Sequence, residues 1–445
     1  MNPLDPSIGQ EVAAADHSLR SPGNDGPDVN SAKTHATIVP VHERNQDSLD
    51  TATPARIRAR LQEAIEHATQ DRDFSIDSRV VEIVQTQPEV PIIVADATDA
   101  ASVDAMVAQT KVLLNYAGSP YITKALPVVE ACARHGTHYV DVTGEVALHR
   151  ASLSRHDAKA KETGALIVHS CGYDSIPSDL GYLLASDAYQ ERYNAQPERA
   201  RLLTRGFEGG GISGGTIYTG LALLGYADEL MTEEAKGLVA ETLAKGSYPL
   251  NDVCGPETRD TIPYPGYDEL RKLWMGPFVM AAANAPVVRR SMELLGRDVI
   301  PYEENSGNVY AVGALGEYVL LGVGAALMLF PPTRFLLKKY VLPTPGQGPS
   351  REARDAGKFA SEVYAAGPAG IAVARVESGD AGDGGYKATA RMSTEAALTL
   401  ALDREKCAAG GVSTPAAAMG RALVERLNKS GMKLFIVEKG GEFNH

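Results

Sequence analysis

The 445 residues carry 43 lysines and arginines against 56 aspartates and glutamates, a formal charge of −13. That balance argues against a nucleic-acid partner, which selects a basic face. The four cysteines, Cys132, Cys171, Cys254 and Cys407, form no CxxC pair, which excludes the common zinc spacings and gives no disulfide framework. An intracellular, reducing compartment is expected, and the N-terminus shows no apolar core of a secretion signal.

Residues 1–50 are polar, lack hydrophobic periodicity and are expected to be disordered. Residues 55–68 read as an amphipathic helix through Ile57, Leu61, Ala64 and Ile65. Strands are expected at 80–84 and 90–95, the second ended by Asp96. A helix over 102–109 takes Ser102 as its N-cap, and 112–116 is the next strand. A helix over 125–135 carries Pro127 in its first turn, 139–142 is a strand, and a helix over 153–163 is closed by Gly164. The strand at 166–169 completes the series. Strands alternating with helices at this spacing predict βαβ units and a parallel, Rossmann-like sheet.

After about Asp187 the texture changes to a second α/β domain, with a strand at 201–207, a glycine-rich loop at 208–216 and helices near 217–245. Residues 370–376 and 385–392 read as paired strands, 394–402 and 414–428 as helices, and 434–438 as a last strand. The expected division is a disordered 1–50, a dinucleotide-binding domain at 51–187, and a substrate or oligomerisation domain at 188–410. Residues 411–445 are expected to pack back on the first domain.

Ligands of open parallel sheets sit at the carboxyl edge of the strands, which directs attention to the loops after them. Asp96 is placed to accept from an adenine amine, or else to serve a turn. Asn115, Ala117 and Gly118 follow one buried strand; Thr143 and Glu145 follow the next. Glu145 suits orienting a substrate or a nicotinamide carboxamide, or pairing with an arginine. Tyr173, Asp174 and Ser175 follow the last core strand and precede a helix start at Pro177. Tyr173 is a candidate proton donor, and Asp174 and Ser175 are candidate catalytic groups or helix caps. His169 and Cys171 are two apart on a strand, but no third orienting group accompanies them, which disfavours a covalent mechanism.

One absence stands against this pattern. Between Gly26 and Gly118 there is no glycine, whereas a pyrophosphate normally needs glycine for close backbone approach. Residues 36–41 (ATIVPV) are the one candidate first strand, and His42-Glu43-Arg44 after it is too bulky for a phosphate loop.

The stretches VLLNYAGSPY, VVEACARHGTHYVDVTGE and the run from His169 to Gly181 resemble saccharopine dehydrogenase-like oxidoreductases. That family includes trans-acting enoyl reductases of bacterial lipid biosynthesis and homologues on lipid droplets. Further similarity lies in Gly211 to Thr216, Pro345 to Ser350, Gly384 to Ala390 and Gly411 to Ala416. The family's G-A-T-G-F-T-G type loop is absent here, and Ser119 interrupts its G-P-Y. The resemblance implies NADP or NAD as cofactor, with Asn115 to Gly118 beside it. It also implies hydride transfer to an enoyl or carbonyl group of a lipid-like or polyketide substrate. The missing glycine loop keeps a second reading open, a catalytically inactive, lipid-associated scaffold.

The most apolar run, 318–330, is followed by Arg334, Lys338 and Lys339. It is short for a membrane span and suits an interfacial segment on anionic lipid, or a buried core or homodimer helix.

Overall fold

The computed structural model describes residues 95–437 except 96, 98, 119, 209–213, 226–230, 245–265, 270 and 344–347, together with the backbone of Thr37–Ile38 and Ile92–Ile93. The expectations for 1–36, 55–68 and 80–84, and Asp96 itself, lie outside the described residues. Strands β1 (Thr37–Ile38) and β2 (Ile92–Ile93) pair in parallel, each within a segment expected to be a strand.

The first larger sheet is all parallel. It comprises β3 (Val112–Asn115), β4 (His138–Asp141), β5 (Leu166–Val168) and β12 (Gly411–Ser413), in the order β12-β5-β4-β3. Its crossovers are α2 (Tyr121–His135) and α3 (Val146–Thr163), preceded by α1 (Ala100–Val107). Left-handed Gly136 and Gly164 end α2 and α3, where a side chain would be strained.

Local readings of the helix starts need correction. Asp99, not Ser102, caps α1: its carboxylate accepts from the Ala101 N–H at 3.0 Å. Helix α2 begins at Tyr121 rather than 125, so Pro127 lies inside it. Helix α3 begins at Val146 rather than 153. The early start of α2 goes with Glu145, whose carboxylate accepts from the first N–H groups of that helix; Glu145 also precedes α3, where its side chain makes no cap hydrogen bond.

The second sheet has seven strands in the order β13-β11-β10-β6-β9-β8-β7. These are β6 (Arg199–Glu208), β7 (Gly266–Asp268), β8 (Leu273–Pro277), β9 (Tyr302–Asn308), β10 (Lys358–Gly367), β11 (Gly370–Glu377) and β13 (Lys433–Ile436). Only the β6–β9 pair is parallel. The partners of β11 are therefore β10 and β13 and not the segment at 385–392, which is helical: a π turn at Gly384–Ala388 runs into α11 (Thr389–Leu402). Asp383 caps the turn by accepting from the Tyr386 and Lys387 N–H groups, and Met392, Ala396 and Leu400 bury one helical face.

Helix α4 (Ile176–Tyr193) lies between the two sheets, and residues 176–186 are buried on every side. It reaches β10 closely at Gly181, where a Cβ would lie 2.6 Å from Val363 Cγ2. Helices α5 (Gly214–Leu223), α6 (Glu233–Ala244) and α7 (Ala281–Leu294) follow β6 and β8. Then come α8 (Ala311–Leu329), α9 (Pro331–Tyr340) and α10 (Arg351–Ala356). The last helix, α12 (Pro415–Lys429), joins β12 of one sheet to β13 of the other. Asp179 of α4 caps it by accepting from the Ala416 N–H at 2.7 Å.

Candidate active site

The carboxyl ends of β3, β4 and β5 bring Asn115, Asp141 and His169 side by side, because the register pairs Asn115 with Asp141 and Val140 with Val168. A continuous buried chain of hydrogen bonds results. Asn115 Nδ2 donates to Tyr139 Oη at 2.9 Å, and Tyr139 Oη donates to Asp141 Oδ2 at 3.0 Å. His169 Nδ1 lies 2.7 Å from the same oxygen, and His169 Nε2 is 2.9 Å from Ser152 Oγ. Asp141 Oδ1 accepts from the N–H groups of Thr143 (3.1 Å) and Ser170 (3.0 Å). Burial raises the Asp141 pKa, but the neighbouring His169 and His149 and these hydrogen bonds outweigh it and hold the carboxyl below its usual range. Burial drives His149 down to about 3, so it is neutral, and its Nε2–H donates to Ser170 Oγ at 2.8 Å.

The residues nominated beside the cofactor are largely engaged with one another. Asn115 Oδ1 accepts from the Ala117 N–H at 2.8 Å. Thr143 Oγ1 accepts from the Glu145 N–H at 3.1 Å. Glu145 accepts from the Tyr121 and Ile122 N–H groups at 2.7 and 2.8 Å, so its side chain is committed to starting α2. Burial pushes Glu145 up to about 7, against the lowering effect of those two N–H groups. Gly118 is required by packing: a Cβ there would lie 2.4 Å from the Tyr121 ring. What this edge offers a ligand is a rigid floor of backbone and small residues.

The loop after β5 separates its three candidates. The Tyr173 ring packs edge to face on Phe359, with centroids 4.8 Å apart, and burial lifts its phenol well above the ordinary range. Its hydroxyl points toward Thr204 and Ser361 of the second sheet. Ser175 is the residue before α4, yet its side chain caps nothing; Oγ donates to Asn284 Oδ1 at 3.2 Å. Asp174 is different. Its half-buried carboxyl has no hydrogen-bond partner among the described residues, and burial raises it to about 6. It faces Gly144, where a Cβ would come 3.3 Å from Asp174 Oδ2 and 3.7 Å from Ala283 Cβ. The capping role open to Asp174 in the sequence is thus not taken up.

Sequence reasoning missed the second sheet's contribution. Asn284 Nδ2 and Tyr302 Oη both donate to the buried Glu304, each at 2.9 Å, and burial raises the Glu304 pKa. Ser175, Asn284 and Glu304 so connect the first sheet's loop to β9. No local signal marks this, since the three residues lie on separate elements.

A cleft of about 340 Å³ opens at the opposite, amino edge of the parallel sheet, beside Lys111, His135, His138 and Arg404. The C-terminal ends of α1 and α2 face it, with Lys111 and Arg404 alongside. It is a packing gap at the edge where such sheets do not bind.

The saccharopine dehydrogenase NADP binding domain matches residues 38–168, which span β1 through β5. The fold and this match define an α/β oxidoreductase of the class that uses NADP or NAD. A relative from Mycobacterium tuberculosis is 37% identical over 366 residues, covering 77% of this chain and 84% of its own length. The trans-acting enoyl reductases of Mycobacterium bovis and Mycobacterium leprae are 35% identical over 363 and 362 residues, with the same coverage. Saccharopine dehydrogenase (L-Glu forming) from Saccharomyces cerevisiae aligns over 85% of this chain and 97% of its own, at 12% identity and a TM-score of 0.42. The chain belongs to the trans-acting enoyl reductase family of saccharopine dehydrogenase-like oxidoreductases.

The described residues fit the nicotinamide end of such a cofactor: Ala117, Gly118 and Gly144 keep the edge low, and Asp174 Oδ2 faces it.

Proposed function

We propose that this chain is an NADPH- or NADH-dependent reductase of an α,β-unsaturated or carbonyl group on a lipid-like or polyketide substrate, with Asp174 as its proton donor. The observation that carries this reading is the Asp174 carboxyl: half-buried, without a hydrogen-bond partner among the described residues and raised to about 6. A group with a pKa near neutrality suits general acid catalysis. The bound nicotinamide supplies the hydride. Hydride addition to the β-carbon of an enoyl group leaves an enolate, and Asp174 then gives its proton to the α-carbon. The carboxylate is reprotonated from solvent, which its partial exposure permits. Ser175, held through Asn284 to Glu304, fixes the loop that carries Asp174.

Calorimetric titration with NADPH and NADH, followed by reduction assays on enoyl and carbonyl thioesters, tests the proposal. Micromolar cofactor binding with measurable turnover is expected. Asp174→Asn should leave cofactor binding intact and lower turnover by roughly a hundredfold or more. Folded protein that binds neither cofactor at millimolar concentration overturns the reductase reading. The glycine-free segment then favours the inactive scaffold.

A further inference from the structure

Helix α8 is 19 residues long with a mean hydropathy of 1.8, yet only 6% of its apolar window is buried in the protein. Among the described residues Leu320 is 72% exposed, Val319 57% and Val323 51%, and the surface continues through Phe330 at 59%. A core helix of this composition is covered; this one is not. Its first turns are anchored, since Ala314 is buried and Ser306 Oγ of β9 donates to Glu317 Oε2. Helix α9 follows at once through Pro331 and Pro332. It holds Arg334, Lys338 and Lys339 and no acid, in a chain whose net charge is −13. Lys339 lies over the Phe335 and Tyr340 rings, at 5.7 and 5.2 Å from their centroids, and Lys338 lies 5.3 Å from the Tyr218 ring centroid of α5.

Topology decides how such a hairpin meets a membrane. The strand before it, β9, and the strand after it, β10, both pair with β6 in the same sheet. Helix α8 is about 28 Å long at 1.5 Å per residue, near the hydrocarbon thickness, but α9 spans only about 15 Å and is basic. Among the described residues there is no second crossing, so a single span would strand β10 on the wrong side of the bilayer.

We propose that α8 and α9 form a monotopic anchor that lies in one leaflet of an anionic lipid surface without crossing it. The apolar face of α8 sinks into the acyl region while Arg334, Lys338 and Lys339 meet the headgroup phosphates. Met328 near the end of α8 packs with the cluster containing Tyr121 and Ile122, the start of α2 at the ligand edge, so the anchor holds that edge near the lipid. The proposal stands on surface and topology and survives loss of the reductase reading.

Flotation of the full chain, purified in mild detergent and diluted into vesicles, tests it. Vesicles of phosphatidylcholine alone are compared with vesicles containing phosphatidylglycerol. The wild-type chain should float with the anionic vesicles and less so at high salt. Lys338→Glu with Lys339→Glu should weaken binding on the order of tenfold or more. Leu320→Asp with Val323→Asp, at exposed positions, should abolish flotation while circular dichroism and Tm stay unchanged. A wild-type chain that floats with neither vesicle overturns the proposal, as does flotation that the charge reversals leave untouched. Dimers by light scattering that Leu320→Asp dissociates, without vesicle binding, assign the face to a second copy of the chain instead.

Discussion

Asp141 Oδ2 and His169 Nδ1 lie 2.7 Å apart, and both side chains are wholly withdrawn from solvent. Asp141 ends β4 and His169 follows the adjacent parallel strand β5, and the other atoms of the pair are taken by Tyr139, Thr143, Ser170 and Ser152. It holds the loops after β4 and β5 in place beneath the ligand edge.

Removing one member leaves the other buried without its partner. Asp141→Ala is expected to cost about 3–5 kcal/mol, read from urea denaturation. The pH dependence follows from the direction of the shift. The carboxyl is held below its unfolded value, so its contribution is fully present above that value and is lost as pH falls through the folded one. Wild type should therefore lose stability in acid more steeply than Asp141→Ala.

Asp174 carries the opposite sign. Its folded pKa of about 6 lies above the ordinary aspartate value, so the fold disfavours the ionised form. Stability is lost as pH rises from about 4 through 6. Asp174→Asn removes that penalty and should stabilise the protein at pH 8 by at most about 3 kcal/mol, with little change at pH 4. Gain of stability together with loss of turnover is the signature expected of a functional acid. A variant less stable at pH 8 would show that the carboxyl is structural.

Glu145 starts a helix that lies before it in the chain. Glu145→Ala strands the Tyr121 and Ile122 N–H groups in a buried position and should cost about 2 kcal/mol or more. Glu145→Gln keeps acceptor oxygen and should lose less. Equal losses in the two variants, measured by denaturant midpoint, would refute the capping role.

Gly118→Ala places a methyl group 2.4 Å from the Tyr121 ring and should cost about 1–3 kcal/mol. In a Tyr121→Ala background the same substitution should cost much less, a coupling that a double-mutant cycle reads directly. Purely additive effects would place the constraint elsewhere.

The sequence by itself determined the local pieces. The buried runs at β3, β4 and β5, the glycine that closes α3, and the polar loops at the carboxyl edge all follow from short-range pattern and backbone preference. These positioned the ligand edge and singled out Asp174 among its loop neighbours only as one of three. Tertiary structure decided the rest. Parallel strands buried on both faces carry no alternation from which register can be read, so the meeting of Asp141 with His169 is invisible until β4 and β5 are paired. The start of α2 depends on Glu145, 24 residues away, and the segment at 385–392 is helical because Asp383 caps it and Met392, Ala396 and Leu400 find a core. Exposure of α8 was equally undecided: an apolar run of that length suits a core or a lipid surface, and only the surrounding packing tells them apart.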